Sequence, residues 1–295
     1  MQRLTRQQLA TLVVLTVVWG FNWPVMKVGV TGYPGLTFRA LSILLGLPVL
    51  AAALLFLKVP FRVPRRHWPE LLWLAFTNMV VWHIAIIFAV QNLSSGRAAI
   101  LGYTMPIFSA VIGALFFSAV LSRRAWAGVA AAALGVALLL WHEFTGLSGH
   151  PLGVALALLA ACVWALGTQL LRRSRIDVPT LSLSFWMTVL TGLSLGVVAA
   201  VFERDQWGVP STPVLWAIVY NAVLIFGYAH AAWFYLARGL PPVASTLSVM
   251  FIPVLGVFSG ALWLGEVLHW QDWAAVILMM VAIASVLLPA RPTAT

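Results

Sequence analysis

The feature that most constrains this chain is a succession of apolar runs, each about as long as a membrane is thick. A helix needs roughly 20 apolar residues to cross a hydrocarbon core of about 30 Å. Ten segments of the 295-residue chain fit this length, and the connections between most of them are only a few residues long. The predicted segments are 9–30, 34–57, 69–91, 95–119, 124–142, 151–172, 178–202, 213–237, 241–264 and 270–289.

Composition supports a membrane protein, because 62% of the residues are hydrophobic, only 8% are charged and the mean hydropathy is +1.00. The net charge of +10 does not indicate a nucleic-acid partner, since the basic residues lie between apolar runs and not on a soluble basic face. Membrane lipid is the expected surrounding. With the single cysteine Cys162, neither a disulfide nor a thiolate metal site can form, and we expect no metal and no cofactor.

The distribution of Lys and Arg predicts the orientation. With a cytoplasmic N-terminus, thirteen basic residues fall on the inside and Arg204 alone falls on the outside, while Lys27, Arg39 and Arg97 lie within or at the ends of spans. Positive charge is concentrated in the cytoplasmic connections of membrane proteins. Both termini are therefore predicted to be cytoplasmic.

The chain also contains an internal repeat. At an offset of 147, GALFFSAVLSRRAWA (113–127) aligns with GALWLGEVLHWQDWA (260–274), and His83 aligns with His230. At an offset of 145, VVWGFNWPVMK (17–27) aligns with CVWALGTQLLR (162–172). Each copy holds five predicted spans, so the second copy must be inverted in the membrane. Inverted repeats are typical of alternating-access carriers, in which two halves move about a central site.

These patterns predict an all-α membrane protein with ten transmembrane helices. The helices form two inverted five-helix repeats, 1–146 and 147–295, within one transmembrane domain. The connections agree with this division, because 58–68 and 122–124 of the first copy are basic, whereas 203–212 and 265–270 of the second copy contain acidic residues.

Four motifs carry a resemblance to a known family. They are W-G-x-N-x-x-x-x-K from Trp19 to Lys27, Pro34 with Arg39, S-x-G-R-A-A-x-L-x-x-x-x-P ending at Pro106, and P-x-x-x-x-x-x-G-x-x-x-L-G-E ending at Glu266. In this order the chain resembles the ten-helix EamA type of the drug/metabolite transporter superfamily, and among its branches it is most similar to the YddG-type amino-acid exporters. One departure is Ala119, which stands where such repeats often have the acid found at Glu266.

Polar and aromatic residues inside the spans are candidates for lining a cavity. Trp19, Asn22, Trp23 and Met26 share one helical face beside Pro24, which cannot donate a backbone hydrogen bond. The alternative is that these residues pack against other helices or contact lipid. For His83 and His230, the alternative is a hydrogen bond within the core. The predicted cavity residues are Trp19, Asn22, Trp23, Asn78, Trp82, His83, Tyr103, Trp164, Gln169, Asn221, Tyr228 and His230.

Lys27, Arg39 and Arg97 are predicted gating or charge residues. Cationic side chains near the ends of spans usually extend to the membrane interface, and the alternative is that one of them attracts a substrate carboxylate or braces an outer gate. No Asp or Glu lies deep in any predicted span, which disfavours a proton-coupled pump for lipophilic cations.

The expected function is transport of small molecules without a catalytic residue. The resemblance implies an inner-membrane carrier that exports amino acids with aromatic or neutral side chains and related amphiphiles, and we expect a functional monomer. A multidrug or other metabolite exporter of the same fold is the first alternative. A membrane-embedded enzyme would need a catalytic constellation that the sequence does not show, and a channel would differ by lacking saturation and counterflow.

Overall fold

The structure is a computed structural model that describes residues 6–145, 150–239 and 242–287. Helices account for nearly all of these residues, and no strand occurs among them. The helical segments are α1 (Arg6–Gly32), α2 (Gly35–Phe56), α3 (Arg65–Asn92), α4 (Ser95–Phe117), α5 (Arg123–Thr145), α6 (Pro151–Arg173), α7 (Thr180–Phe202), α8 (212–239), α9 (Pro242–Leu264) and α10 (Trp270–Leu287).

Seven of the described segments, α1 to α4 and α6 to α8, are long and apolar enough to cross a membrane. Shorter apolar helices, Phe251–Leu264 and Trp270–Ser285, lie within α9 and α10. The chain is therefore an all-helical membrane protein, as its apolar runs predicted. The helix boundaries agree with the predicted segments to within four residues wherever the structure describes them. The count of ten membrane spans and the cytoplasmic termini stay predictions.

Helix packing follows a paired pattern. Segments α2 and α7 pack together, as do α5 and α10, and each of these pairs joins two segments that occupy the same place in the two predicted repeats. Segment α1 packs against α9, and α6 packs against α4 in the corresponding way. In the first contact Gly20 lies against Leu255, where a β-carbon would come within 2.6 Å of the Leu255 Cβ. These are the contacts that two related halves would make, although the division at 146 stays a prediction.

The two ends of the helical bundle differ in charge. We call one end the capped end; here α1 finishes and α2, α4, α6 and α8 begin, near Glu203 and Glu266. We call the other end the basic end; here α6 finishes at Arg172 and Arg173, and α5 begins at Arg123. In the predicted orientation the capped end faces outward and the basic end faces the cytoplasm.

Three segments are interrupted in their middle. The α3 segment contains a π-helical stretch, Phe76–Val80, and α8 contains a longer one, Asn221–Ala229. The α4 segment is interrupted by a turn between the helical parts Ser95–Gly102 and Met105–Phe117. Such π-helical stretches are frequent at functional sites because they change the direction in which side chains point. The interruptions of α4 and α8 contain the cavity-lining residues Tyr103 and Ile225, and that of α3 ends two residues before the lining residue Trp82.

Candidate functional site

A cavity of ≈ 310 Å³ lies in the centre of the bundle. It is bounded by α1, α3, α4, α6 and α8, with one residue from α2, and it extends to Leu121 and Arg172 at the basic end. The lining residues are Trp19, Asn22, Trp23, Met26, Arg39, Trp82, His83, Ile86, Tyr103, Met105, Pro106, Ser109, Ala110, Leu121, Trp164, Ala165, Thr168, Gln169, Arg172, Ile225, His230 and Trp233.

Six of the lining residues have the large aromatic rings of Trp or Tyr. The Trp82 and Trp164 ring centroids are 5.1 Å apart, and those of Trp19 and Trp233 are 5.6 Å apart. Trp23 packs edge-on against Tyr103 at 6.2 Å. Each of these contacts joins two different helices. Apolar and aromatic walls with a few polar groups are typical of sites that bind partly apolar small molecules.

His83 and His230 meet in the middle of the molecule, with ring centroids 5.4 Å apart. Both are buried, and Trp19 and Trp164 each pack edge-on against His230 at 6.0 Å. His230 Nδ1 lies 3.0 Å from the carbonyl of Ile225, which belongs to the π-helical stretch of α8. Both ring nitrogens of His83 lack a hydrogen-bond partner among the described residues. His83 and His230, which are aligned in the repeat, thus form one cluster with the aligned residues Trp19 and Trp164.

The VVWGFNWPVMK stretch places four side chains in the cavity wall, those of Trp19, Asn22, Trp23 and Met26. The α1 helix continues through Pro24. Trp19, Asn22 and Trp23 all line the cavity, as their shared helical face predicted. Asn22 is 9% exposed, and its Oδ1 has no partner among the described residues. The structure therefore brings a polar acceptor and two indoles to one side of the cavity.

Arg39 is located differently from the expected position at the membrane interface. Its side chain is 1% exposed and lines the cavity, so it does not extend towards solvent. Its Nη1 donates to Asn221 Oδ1 at 3.0 Å, and Nη2 contacts the sulfur of Met26. The guanidinium lies over the ring of Phe226 at 5.5 Å from the centroid. The interfacial alternative for Arg39 is thereby excluded in this structure.

Lys27 and Arg97 have structural contacts and do not line the cavity. Lys27 Nζ donates to the backbone carbonyls of Val90, Gln91 and Leu93 at 2.8, 3.1 and 2.8 Å, which satisfies acceptors at the end of α3. Arg97 forms an ion pair with Asp272, with Nε 2.7 Å from Oδ1. Both contacts brace the capped end.

Three other predicted residues lie outside the cavity wall. Asn78 Nδ2 donates to the carbonyl of Leu74, and Asn221 Nδ2 donates to that of Ala217, each at 3.0 Å. Both asparagines lie in π-helical stretches and bond four residues back along their own helix. Tyr228 shares a side-chain hydrogen bond with Thr11. Ten of the fifteen predicted site residues line the cavity: Trp19, Asn22, Trp23, Arg39, Trp82, His83, Tyr103, Trp164, Gln169 and His230.

Several lining residues were not predicted. Thr168 and Arg172 follow Trp164 at intervals of four residues, so helical periodicity from Trp164 would have found them. Trp233 follows His230 by three residues in the same way. Gln169 donates to the carbonyl and to the hydroxyl of Ser109, both at 2.9 Å, which links α6 to α4 beside the mouth of the cavity. No sequence signal distinguished Ser109 or Ala110 from other small residues.

Membrane carriers have this architecture: a bundle of membrane-spanning helices surrounds a central cavity, and both halves of the chain line it. Comparison with known families agrees. The model of the EamA-like transporter family matches residues 8–141 and again residues 151–288. This chain belongs to the EamA-like transporter family.

Individual relatives share only about a quarter of their residues with this chain. The chain is 24% identical over 256 residues to the uncharacterised transporter YoaV of Bacillus subtilis, covering 86% of this chain and 88% of the relative. It is 27% identical to the uncharacterised inner membrane transporter YedA of Escherichia coli K12, covering 95% and 92%. It is 28% identical to a Salmonella typhimurium protein named as a probable amino-acid metabolite efflux pump, covering 92% and 91%.

The fold is also found among solved crystal structures. One of them superimposes with a TM-score of 0.69 at 21% sequence identity, covering 94% of this chain and 95% of the other. At this identity the match shows the fold alone.

Proposed function

We propose that this protein is an alternating-access carrier that exports small metabolites across the inner membrane. The proposed cargo is amino acids with aromatic or neutral side chains and related amphiphiles. The observation that carries the proposal is the central cavity, where aromatic rings from several helices surround His83, Asn22 and Arg39 and which extends to the basic end of the bundle. Both termini are proposed to be cytoplasmic, so that this end faces the cytoplasm.

The chemistry of the wall supports an amphiphilic cargo. Tryptophan and tyrosine rings provide apolar contact with defined geometry, while Asn22, Gln169 and Tyr103 provide hydrogen-bonding groups at a few points. The relative named as a probable amino-acid metabolite efflux pump supports the same class of cargo. The cavity lies within one chain, which supports a functional monomer. The assignment to the YddG-type branch stays a prediction.

Transport in proteoliposomes tests the proposal. Purified protein with radiolabelled phenylalanine should show saturable uptake and counterflow, because a carrier must reorient with its cargo. Trp164→Ala should lower the transport rate about tenfold or more, since it removes a ring from the cavity wall. Trp216→Ala is a matched control, because Trp216 is 69% exposed on the outer surface of α8. Flux that increases linearly with concentration and lacks counterflow would indicate a channel and refute the carrier.

A further inference from the structure

We infer that Arg39 binds the carboxylate of the cargo, so that the cavity selects amphiphiles with a carboxylate over neutral or purely cationic amphiphiles of the same shape. The inference rests on the proposed function and names the recognition group within the same cavity. It begins from the burial of Arg39, whose side chain is 1% exposed within a membrane-spanning segment. A charge in such surroundings is costly unless a counter-charge or a full set of acceptors compensates it.

Among the described residues, Arg39 has no counter-ion. Its polar partners are the Asn221 amide oxygen, 3.0 Å from Nη1, and the Met26 sulfur, both of which are neutral. The rings of Phe38 and Phe226 lie 5.7 and 5.5 Å from the guanidinium carbon, and each provides only a partial cation–π compensation. The Nε atom is buried and has no partner among the described residues. The guanidinium therefore has an unused donor beside the cavity.

The other candidate cations have different surroundings. Lys27 already donates to three backbone carbonyls, and Arg97 is paired with Asp272. Arg172 lines the cavity at its mouth, where the side chain is exposed. Arg39 is thus the buried cation on the cavity wall, and α2 holds it near the capped end, opposite the mouth.

The charges on the wall favour an anionic group on the cargo. Among the described residues, the charged ones that line the cavity are Arg39 and Arg172, and none is Asp or Glu. An ammonium group would meet this wall without a counter-charge, although Asn22 Oδ1 is an unpartnered acceptor for one of its hydrogens. A carboxylate would meet a planar guanidinium that is suited to charge-assisted hydrogen bonds. Zwitterionic and anionic amphiphiles are therefore preferred over cationic ones.

Calorimetric binding to the purified full-length protein tests the inference with four compounds that share a phenyl ring. Phenylalanine and 3-phenylpropionate contain a carboxylate, 3-phenylpropanol is neutral and 2-phenylethylamine is cationic. We expect the two carboxylates to bind about tenfold to a hundredfold more tightly than the alcohol or the amine, as for a hydrogen-bonded charged group. In Arg39→Gln this preference should disappear while the affinity for 3-phenylpropanol stays within about twofold. Arg204→Gln makes the same change at an exposed position and should keep the preference.

A second variant keeps the test informative if Arg39→Gln does not fold. Asn221→Asp places a carboxylate of nearly the same shape at the atom that already accepts from Arg39. If Arg39 binds the cargo, this internal ion pair competes with it, and affinity for both carboxylates should fall about tenfold. If Arg39 only braces α2 against α8, the ion pair strengthens the brace and leaves ligand affinity unchanged, which overturns the inference.

The remaining outcomes separate this inference from the proposed function. Saturable phenylalanine transport with equal affinities for 3-phenylpropionate and 3-phenylpropanol would overturn the role of Arg39 and leave the carrier in place. Loss of the carboxylate preference in Arg172→Gln but not in Arg39→Gln would also overturn it, because the recognition would then lie at the mouth. Failure of all four compounds to bind would overturn both proposals.

Discussion

The two ends of the helical bundle are formed by aligned segments of the chain, yet they are held together differently. At the capped end Glu203 accepts hydrogen bonds from the amides of Leu36 and Thr37 and from the Thr37 hydroxyl, at 3.0, 2.7 and 2.7 Å. Glu266 accepts from the amides of Ser95 and Gly96 at 2.6 and 3.2 Å. Each carboxylate comes from the second half of the chain and satisfies the beginning of a helix in the first half.

The aligned positions at the basic end differ in chemistry. Ala119 aligns with Glu266, and Lys58 aligns with Glu203 at the offset of 145. Arg172 aligns with Lys27, yet it lines the cavity where Lys27 braces a helix end. Links between the two halves occur at the basic end too, where Ser182 and Trp186 donate to the carbonyls of Pro60 and Phe61 at 2.6 Å, but among the described residues no carboxylate accepts from the beginning of a helix there.

Removal of Glu203 should have the largest effect on stability. Glu203→Ala leaves two backbone amides and one hydroxyl without their acceptor in a site where Glu203 is 7% exposed, and we expect a loss of about 3 kcal/mol in the free energy of unfolding. Unfolding in detergent, followed by near-ultraviolet circular dichroism, measures it. Glu203→Gln keeps an acceptor and should lose about 1 kcal/mol. The aligned control Lys58→Ala should change stability by less than about 0.5 kcal/mol, and an equal loss in both alanine variants would contradict the comparison.

Substitutions at the aligned residues Lys27 and Arg172 should give the next largest difference in the free energy of unfolding. Lys27→Met removes donors from three carbonyls at the end of α3, and a loss of about 2 kcal/mol is expected in the same unfolding experiment. Arg172→Met removes an exposed cation at the cavity mouth, so its stability should stay within about 0.5 kcal/mol of the parent protein. A free energy of unfolding for Lys27→Met equal to that of the parent protein would contradict the bracing role of Lys27 at the capped end.

Placing an acid at Ala119 should have the smallest effect, a change in the balance between the open and closed forms of the basic end. Ala119→Glu restores the carboxylate at the position aligned with Glu266, where it could accept from the beginning of α9 and favour closure of the basic end. The residue aligned with Ser95 is Pro242, which has no amide hydrogen, so fewer donors are available than for Glu266. We expect a shift of about fivefold towards the closed form, or about 1 kcal/mol. The rate at which maleimide labels Ala110→Cys should fall accordingly, whereas the control Ala119→Gln should not slow it.

The sequence predicted the membrane helices well because their signal is local. A run of about 20 apolar residues has few alternatives in a bilayer, so length alone located most helix ends. Trp19, Asn22 and Trp23 were found because one helix face can be identified from spacing. The alignment of His83 with His230 predicted that they are counterparts in the two repeats, and the structure places them in contact.

Other parts of the site depend on contacts between distant segments. Asn78 and Asn221 look like polar residues in a span, but the π-helical stretches turn them towards carbonyls of their own helices. The cross-links of Glu203 join residues 166 and 167 positions apart, and no local pattern predicts such a pair. Likewise, the sequence left open whether Arg39 extends to the membrane interface or faces the cavity. The answer depended on the position of α8, which supplies the contacts with Asn221 and Phe226.

The most direct test is to ask from which side of the membrane the cavity can be reached. A cysteine at Ala110, which lines the cavity, is introduced into a Cys162→Ala background and treated with an impermeant maleimide in right-side-out and inverted vesicles. Cysteines at the exposed positions Arg175 and Arg204 report the basic end and the capped end in parallel. We expect Ala110→Cys to react from the same side as Arg175→Cys, and we expect phenylalanine to slow the reaction. Rapid labelling from the side of Arg204→Cys, with no effect of phenylalanine, would contradict it.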